Sequence, residues 1–249
     1  MLFLVLLRLT ASAQQCPDLD YSQGGANWGG VCNSGTMQSP IDLGLTTAQN
    51  FPHYLFLTYP QFPVLATIDC PNFYSLSFPP VGELIVKDST LQSFPYHTGA
   101  VFFHSPSEHT LLGNYQDLEV QIRFDLFPSG SERFAVLSIL FNSDADPEGN
   151  PFFEQLIGEN GALVSNVDTV TLEGVVSQWT AFSPYYYYEG SMTIPPCTEG
   201  FNWYVLATPQ RLSTAQLKAF RTLQNNRKTQ SLNTRTLYAN SGGVRHNSS

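Results

Sequence analysis

Charge is scarce in this chain. Asp, Glu, Lys and Arg together make up 12% of its 249 residues, about half of the roughly 25% usual for a soluble domain. Positive charge is scarcest: 11 Lys and Arg against 20 Asp and Glu leave a formal net charge of -9. The basic residues are scattered and form no stripe, so a nucleic-acid partner is excluded, because a phosphate backbone requires clustered Lys and Arg. Cysteine is sparse too, with Cys16, Cys32, Cys70 and Cys197 showing no CxxC spacing. That argues against a cysteine metal cluster and for two disulfides, with four buried thiols in a cytosolic protein as the alternative. Beyond the N-terminus no apolar run approaches the ~18 residues of a membrane span, so no transmembrane segment is expected. Internal repeats and low-complexity linkers are also missing.

What is present begins with an apolar stretch, Met1 to Leu7, then Arg8 and Ala11-Ser12-Ala13. Residues 1–13 read as a secretory signal ending in an A-x-A cleavage site, truncated at its start because the basic leading region is missing. A disordered apolar tail is the alternative. With the paired cysteines, the signal places the protein outside the cytosol, secreted or lumenal. One domain is expected over 14–240, followed by a flexible tail over 241–249.

Hydrophobic residues make up 42%, and Pro and Gly break them into short runs, the pattern of a β-rich domain. Strands are predicted at 83–86, 100–104, 118–126, 134–141, 169–172 and 203–207. The run 134–141 is almost wholly apolar and should be central, buried on both faces. One helix is well signalled, with Ser213 as N-cap, Gln216 completing a capping box, and Leu217, Phe220 and Leu223 on one face. The turn-rich 142–160 segment reads as a surface excursion.

Four separated segments carry more specific information. Residues 21–43 contain Tyr21, Trp28 and Gln38-Ser39-Pro40-Ile41-Asp42-Leu43. Residues 100–110 read AVFFHSPSEHT, 190–203 read GSMTIPPCTEGFNW, and 225–235 read NNRKTQSLNTR. In this order they resemble the α-class carbonic anhydrases across nearly the whole chain after residue 13. The resemblance implies a mainly β fold with a few short helices, built on a large twisted, mostly antiparallel sheet with a conical cavity. It also implies a Cys32–Cys197 disulfide, leaving Cys16 and Cys70 for a second bridge.

In that family three histidines hold Zn²⁺, two at i and i+2 on one strand and the third on its neighbour. Alternate strand residues share a face, which is why that spacing works. Neutral imidazoles leave the ion acidic enough to bring its bound water to a pKa of about 7. Here the first ligand position is Phe102, the second is His104, and 17 residues on from His104 stands Gln121. Phenyl cannot bind zinc and Gln is not among its usual ligands, so no cofactor is expected. A lone His104 reads as a hydrogen-bonded core residue.

The surrounding positions are better kept. Glu108 and Thr193 match the pair that orients the metal-bound hydroxide, and Glu119 matches the acid that steadies the third histidine. They are read as vestigial, their hydrogen bonds serving the fold. Met192 and Ile194 flank Thr193, and Asn72 falls where many members carry a proton-shuttling His, a role Asn cannot perform. Arg123 alternates with Glu119 and Gln121 and should face the cavity, where it could offset the two acids; a bulge turning it to solvent is the alternative. The resemblance therefore implies a catalytically silent homologue, partnered by other proteins in an extracellular or organellar assembly. A carbonate dehydratase with an atypical metal site is the competing expectation.

Overall fold

The apolar runs pair into one dominant sheet, because a strand with a buried face must find neighbours for both its backbone edges and its side chains. A computed structural model describes residues 19–44, 49–50, 54–60, 62–70, 73–87, 93–126, 134–144, 148–172, 175, 184–240 and 244–246. Among them the sheet has 12 strands. Its centre runs Ser75–Lys87, Ser93–His104, Leu118–Leu126, Phe134–Asp144, Glu199–Leu206 and Tyr185–Ser191, in that spatial order. All neighbouring pairs along this run are antiparallel except Phe134–Asp144 with Glu199–Leu206, which is parallel.

Register decides what meets across the centre. Gln121 lies opposite Phe102 on one side and Ser138 on the other, and Glu119 lies opposite His104. The intervening residues Val101, Phe103, Val120, Ile122, Leu137 and Ile139 point the other way into the larger apolar core. Phe152, Phe153 and Phe220 close that core through ring contacts with Phe103 and one another. Each such fully buried ring contributes roughly 1.5–3 kcal/mol relative to exposure. A second apolar cluster, including Ile41, Leu43, Val136, Leu140, Tyr188, Phe201 and Trp203, lies on the face that carries Gln121 and Glu119. Ser39, Glu108 and His109 from the four motifs bond to Glu119 and Tyr188 on that face.

The helices are short, as expected. Thr214–Phe220 starts at Ser213 with the capping box complete, and Pro151–Glu154 starts at Asn150, whose side chain accepts from Phe152 N. The predicted strand at 134–141 is buried from Ala135 through Phe141, while that at 169–172 is reduced to Thr169–Val170. Part of the segment expected as a flexible tail, Val244–His246, instead forms a strand parallel to Tyr54–Thr58. Residues 1–13, Cys16 and Asn72 lie outside the described residues. No helix among the described residues is long and apolar enough to cross a membrane.

Candidate functional site

Two buried carboxylates organise the floor of the cavity. Glu119 is ionised: burial pushes its carboxyl up, but His109, its backbone N–H, and more distantly His104 outweigh burial and hold it near 2. It accepts from the backbone N–H of Glu108 and of His109, both at 2.8 Å, and from Ser138 Oγ at 2.7 Å. His109 Nδ1 donates to it at 2.8 Å, and His109 Nε2 lies 2.7 Å from Tyr188 Oη, which is 2.8 Å from Ser39 Oγ. A carboxylate so surrounded is satisfied without a metal.

Glu108 is held less favourably. Burial raises its carboxyl above the usual range and the Glu119 charge adds to this, while His104, the Thr193 hydroxyl and Arg227 N–H oppose it. Arg227 N donates to Glu108 Oε1 at 2.9 Å. The Arg227 guanidinium, almost wholly buried, reaches Gln38 Oε1, Ser39 O and Cys32 O at 3.0, 2.6 and 2.6 Å. Cys32 is in turn bonded to Cys197, and Cys70 is also in a disulfide. Sequence reasoning passed over Arg227 and Asn225, although both stand in the quoted 225–235 motif. Asn225 supplies the carbonyl that accepts from His104 Nδ1 at 2.9 Å, which leaves Nε2 as the free ring nitrogen.

Gln121 bridges the two acids. Its Nε2 donates to Glu108 Oε2 at 2.8 Å and to Glu119 Oε1 at 2.9 Å. One neutral amide thus supplies a donor to each of two carboxylates. This corrects the expectation for Arg123: the two acids are satisfied by Gln121, His109, Ser138 and backbone N–H groups, and Arg123 does not touch them. Its Nε donates instead to Asp125 Oδ1 at 3.0 Å. Arg123 does face the cavity, but Asp125, two residues on along the same strand and so on the same face, takes its guanidinium. Opposite them Arg123 pairs with Ala100 and Phe124 with Thr98, leaving Gly99 between. A Cβ on Gly99 would come within 2.7 Å of Asp125 Oδ2 and 3.1 Å of Arg123 Nη2, so the glycine makes room for the ion pair.

Above this floor the space divides. Phe102, His104, Gln121, Arg123, Met192, Thr193, Ile194 and Trp203 enclose only about 10 Å³ at the base, at the lower limit for a single water. Beyond it opens a cleft of about 320 Å³, lined by Phe73, Ser75, Ala100, Phe102, Arg123, Met192 and Ile194 among others. Phe102 and Met192 are half-buried and face both spaces.

A family model described as eukaryotic-type carbonic anhydrase matches residues 23–241. The chain belongs to the eukaryotic-type carbonic anhydrase family. Human carbonic anhydrase 6 is 28% identical to it over 96% of this chain and 88% of the relative. A dioscorin, DB3S from Dioscorea polystachya, is 35% identical over 49% of this chain and 44% of its own length. A crystal structure of dioscorin complexed with ascorbate superposes with a TM-score of 0.70 at 26% identity, covering 84% of this chain and 87% of that one. Carbonic anhydrases normally use zinc. In this carbonic anhydrase homologue the donor set does not fit the ion, because a phenyl ring fills the first position, one imidazole remains at the second, and the amide nitrogen at the third is committed to Glu108 and Glu119. Among the described residues no group of three or more His, Cys, Asp or Glu is placed to hold a metal.

Proposed function

We propose that this carbonic anhydrase family member is catalytically silent and acts outside the cytosol as a binding, assembly or structural component. The observation that carries the reading is the Gln121 amide, donating to Glu108 and Glu119 where the family places its third imidazole, across from Phe102 where it places the first. With the acids satisfied internally, the floor gains nothing from a dication. Disulfide-bonded Cys32, Cys197 and Cys70 support an oxidising compartment. A dioscorin structure holding ascorbate supports the use of this fold for binding small molecules. The test is zinc content and CO₂ hydration rate of protein purified without chelators. Zinc far below one per chain and no hydration above the uncatalysed rate are expected; about one zinc per chain with hydration would overturn the reading.

A further inference from the structure

We propose that the hairpin over residues 110–115 is a self-association surface, on which a second copy of this chain pairs edge to edge across a two-fold axis. The proposal goes beyond the silent-homologue reading and does not depend on it, since none of the residues it uses lines the cavity. Thr110–Leu111 and Asn114–Tyr115 form the hairpin, and Asn114–Tyr115 is the open edge of a three-stranded sheet that starts at Asp42–Leu43. Leu112 and Gly113 turn the chain with φ of 53° and 76°, the type I′ geometry that Asn and Gly usually supply. A leucine there crowds its Cβ against the following carbonyl. Burial does not offset this, because Leu112 is 71% exposed, and no large apolar side chain among the described residues is more so. A strained residue that holds an apolar side chain in water points to an intermolecular role. The hairpin is held ready for it: Leu112 N donates to Leu43 O at 2.9 Å, and Asp42 Oδ1 accepts from Thr110 Oγ1 at 2.6 Å and from Gly113 N at 2.8 Å.

The ladder fixes what the edge offers. In a hairpin with a two-residue loop the pair next to the turn, Leu111 with Asn114, is the hydrogen-bonded one, so the next pair, Thr110 with Tyr115, is not. Gln116 turns back inward and exchanges bonds with Ser107 at 2.8 and 2.9 Å. The Tyr115 N–H and C=O therefore both point out of the edge. One outward donor and one outward acceptor on a single residue are satisfied together when the same residue of a second copy runs antiparallel to it, Tyr115 facing Tyr115. Charge selects the same occupant. Residues 110–116 carry no charge, and no Lys or Pro guards this edge in the way that natural edges are commonly guarded. A basic partner finds nothing here to pair with, whereas two copies at -9 each meet best where acids are missing. In the two-fold register Asn114 faces Gln116 and Asp117 faces Gly113, so no like charges oppose one another along the ladder. A ladder this short buries less than the ~1,200 Å² of a stable interface, so the dimer is weak.

Sedimentation velocity of the full chain from about 10 µM to 1 mM should show monomer giving way to dimer, with a Kd of about 0.3 mM. The Tyr115 amide should move downfield in step with it in ¹⁵N spectra. Raising NaCl from about 0.05 to 0.5 M should tighten the dimer by screening the repulsion between copies. Leu112→Asn suits the turn and removes the apolar contact, while Tyr115→Pro removes the outward N–H and leaves the ladder within the hairpin intact. Each should weaken the dimer by at least about fivefold, and Leu112→Asn should unfold in urea no earlier than the unaltered chain. A chain that stays monomeric at about 1 mM, a dimer that neither variant weakens, or growth into higher oligomers overturns the proposal. Zinc content enters none of these readouts, so failure here and failure of the silent-homologue reading are separate results.

Discussion

Phe102 and Gln121 are direct cross-strand partners, the side chains of a single antiparallel pair. The residues at the family's first and third ligand positions therefore share one place in the sheet. One fills space and the other satisfies charge, and each task would be left undone by the other residue.

Removing the amide tests the second task. Gln121→Leu keeps the volume close but leaves Glu108 and Glu119, both buried, without their shared donor. A cost of about 2–4 kcal/mol is expected, since a buried charged acceptor loses its partner. Urea unfolding at pH 7 measures it, and a change below about 1 kcal/mol would show that the bridge is dispensable.

The ligand positions can be restored together. In Phe102→His with Gln121→His, His104 is already oriented by the Asn225 carbonyl, so zinc binding should appear. Adding Arg123→Val should alter the zinc Kd by less than about threefold, because Asp125 already neutralises Arg123. Zinc titration of the double and triple variants checks this; a tenfold gain in the triple would place the Arg123 charge at the metal after all.

Acid stability follows from Glu119. Its folded-state carboxyl sits near 2 and an unfolded Glu titrates near 4.3, so its stabilisation is full above pH ~4.5 and is lost as pH falls toward 2. Glu108 is shifted up and acts in the opposite sense, favouring the fold below its unfolded value, which partly offsets the loss. A net decline of a few kcal/mol between pH 5 and 2.5 is expected, and it should be blunted in Glu119→Gln. Unfolding curves at these pH values decide it; an unchanged slope in the variant would assign the acid sensitivity to other groups.

The Cys32–Cys197 bridge spans 165 residues. Closing a loop of that size stabilises the fold by about 5 kcal/mol in the chain-entropy description. Cys32→Ala with Cys197→Ala should lose a large part of this in denaturant unfolding, whereas a loss under about 1 kcal/mol would show that Arg227 alone holds the N-terminal segment in place.

The fold was legible where information is local. The capping box at Ser213 and Gln216, the apolar run at 134–141 and the spaced motifs each announce themselves within a few residues. Counting along the chain was enough to find Phe102 and Gln121, because strand alternation converts spacing into facing. It also put Arg123 in the cavity lining, but not beside its partner, because the alternation of 119, 121 and 123 does not say that Asp125, next on the same face, takes the guanidinium. His109 was likewise undervalued. Its partners Glu119 and Tyr188 lie 10 and 79 residues away in sequence, and only register brings them to one imidazole.

The web joining Glu119, His109, Tyr188, Ser39 and Ser191, with Arg227 tying Gln38 and Cys32 to it, consists of residues that look like the remains of an enzyme. Each is also masonry between two apolar layers, and losing any one strands a buried polar group. A lineage selected only to keep its shape would preserve the same letters. In this architecture the signature of catalysis and the signature of durability are written in shared residues, and positions 102 and 121 are where the two part.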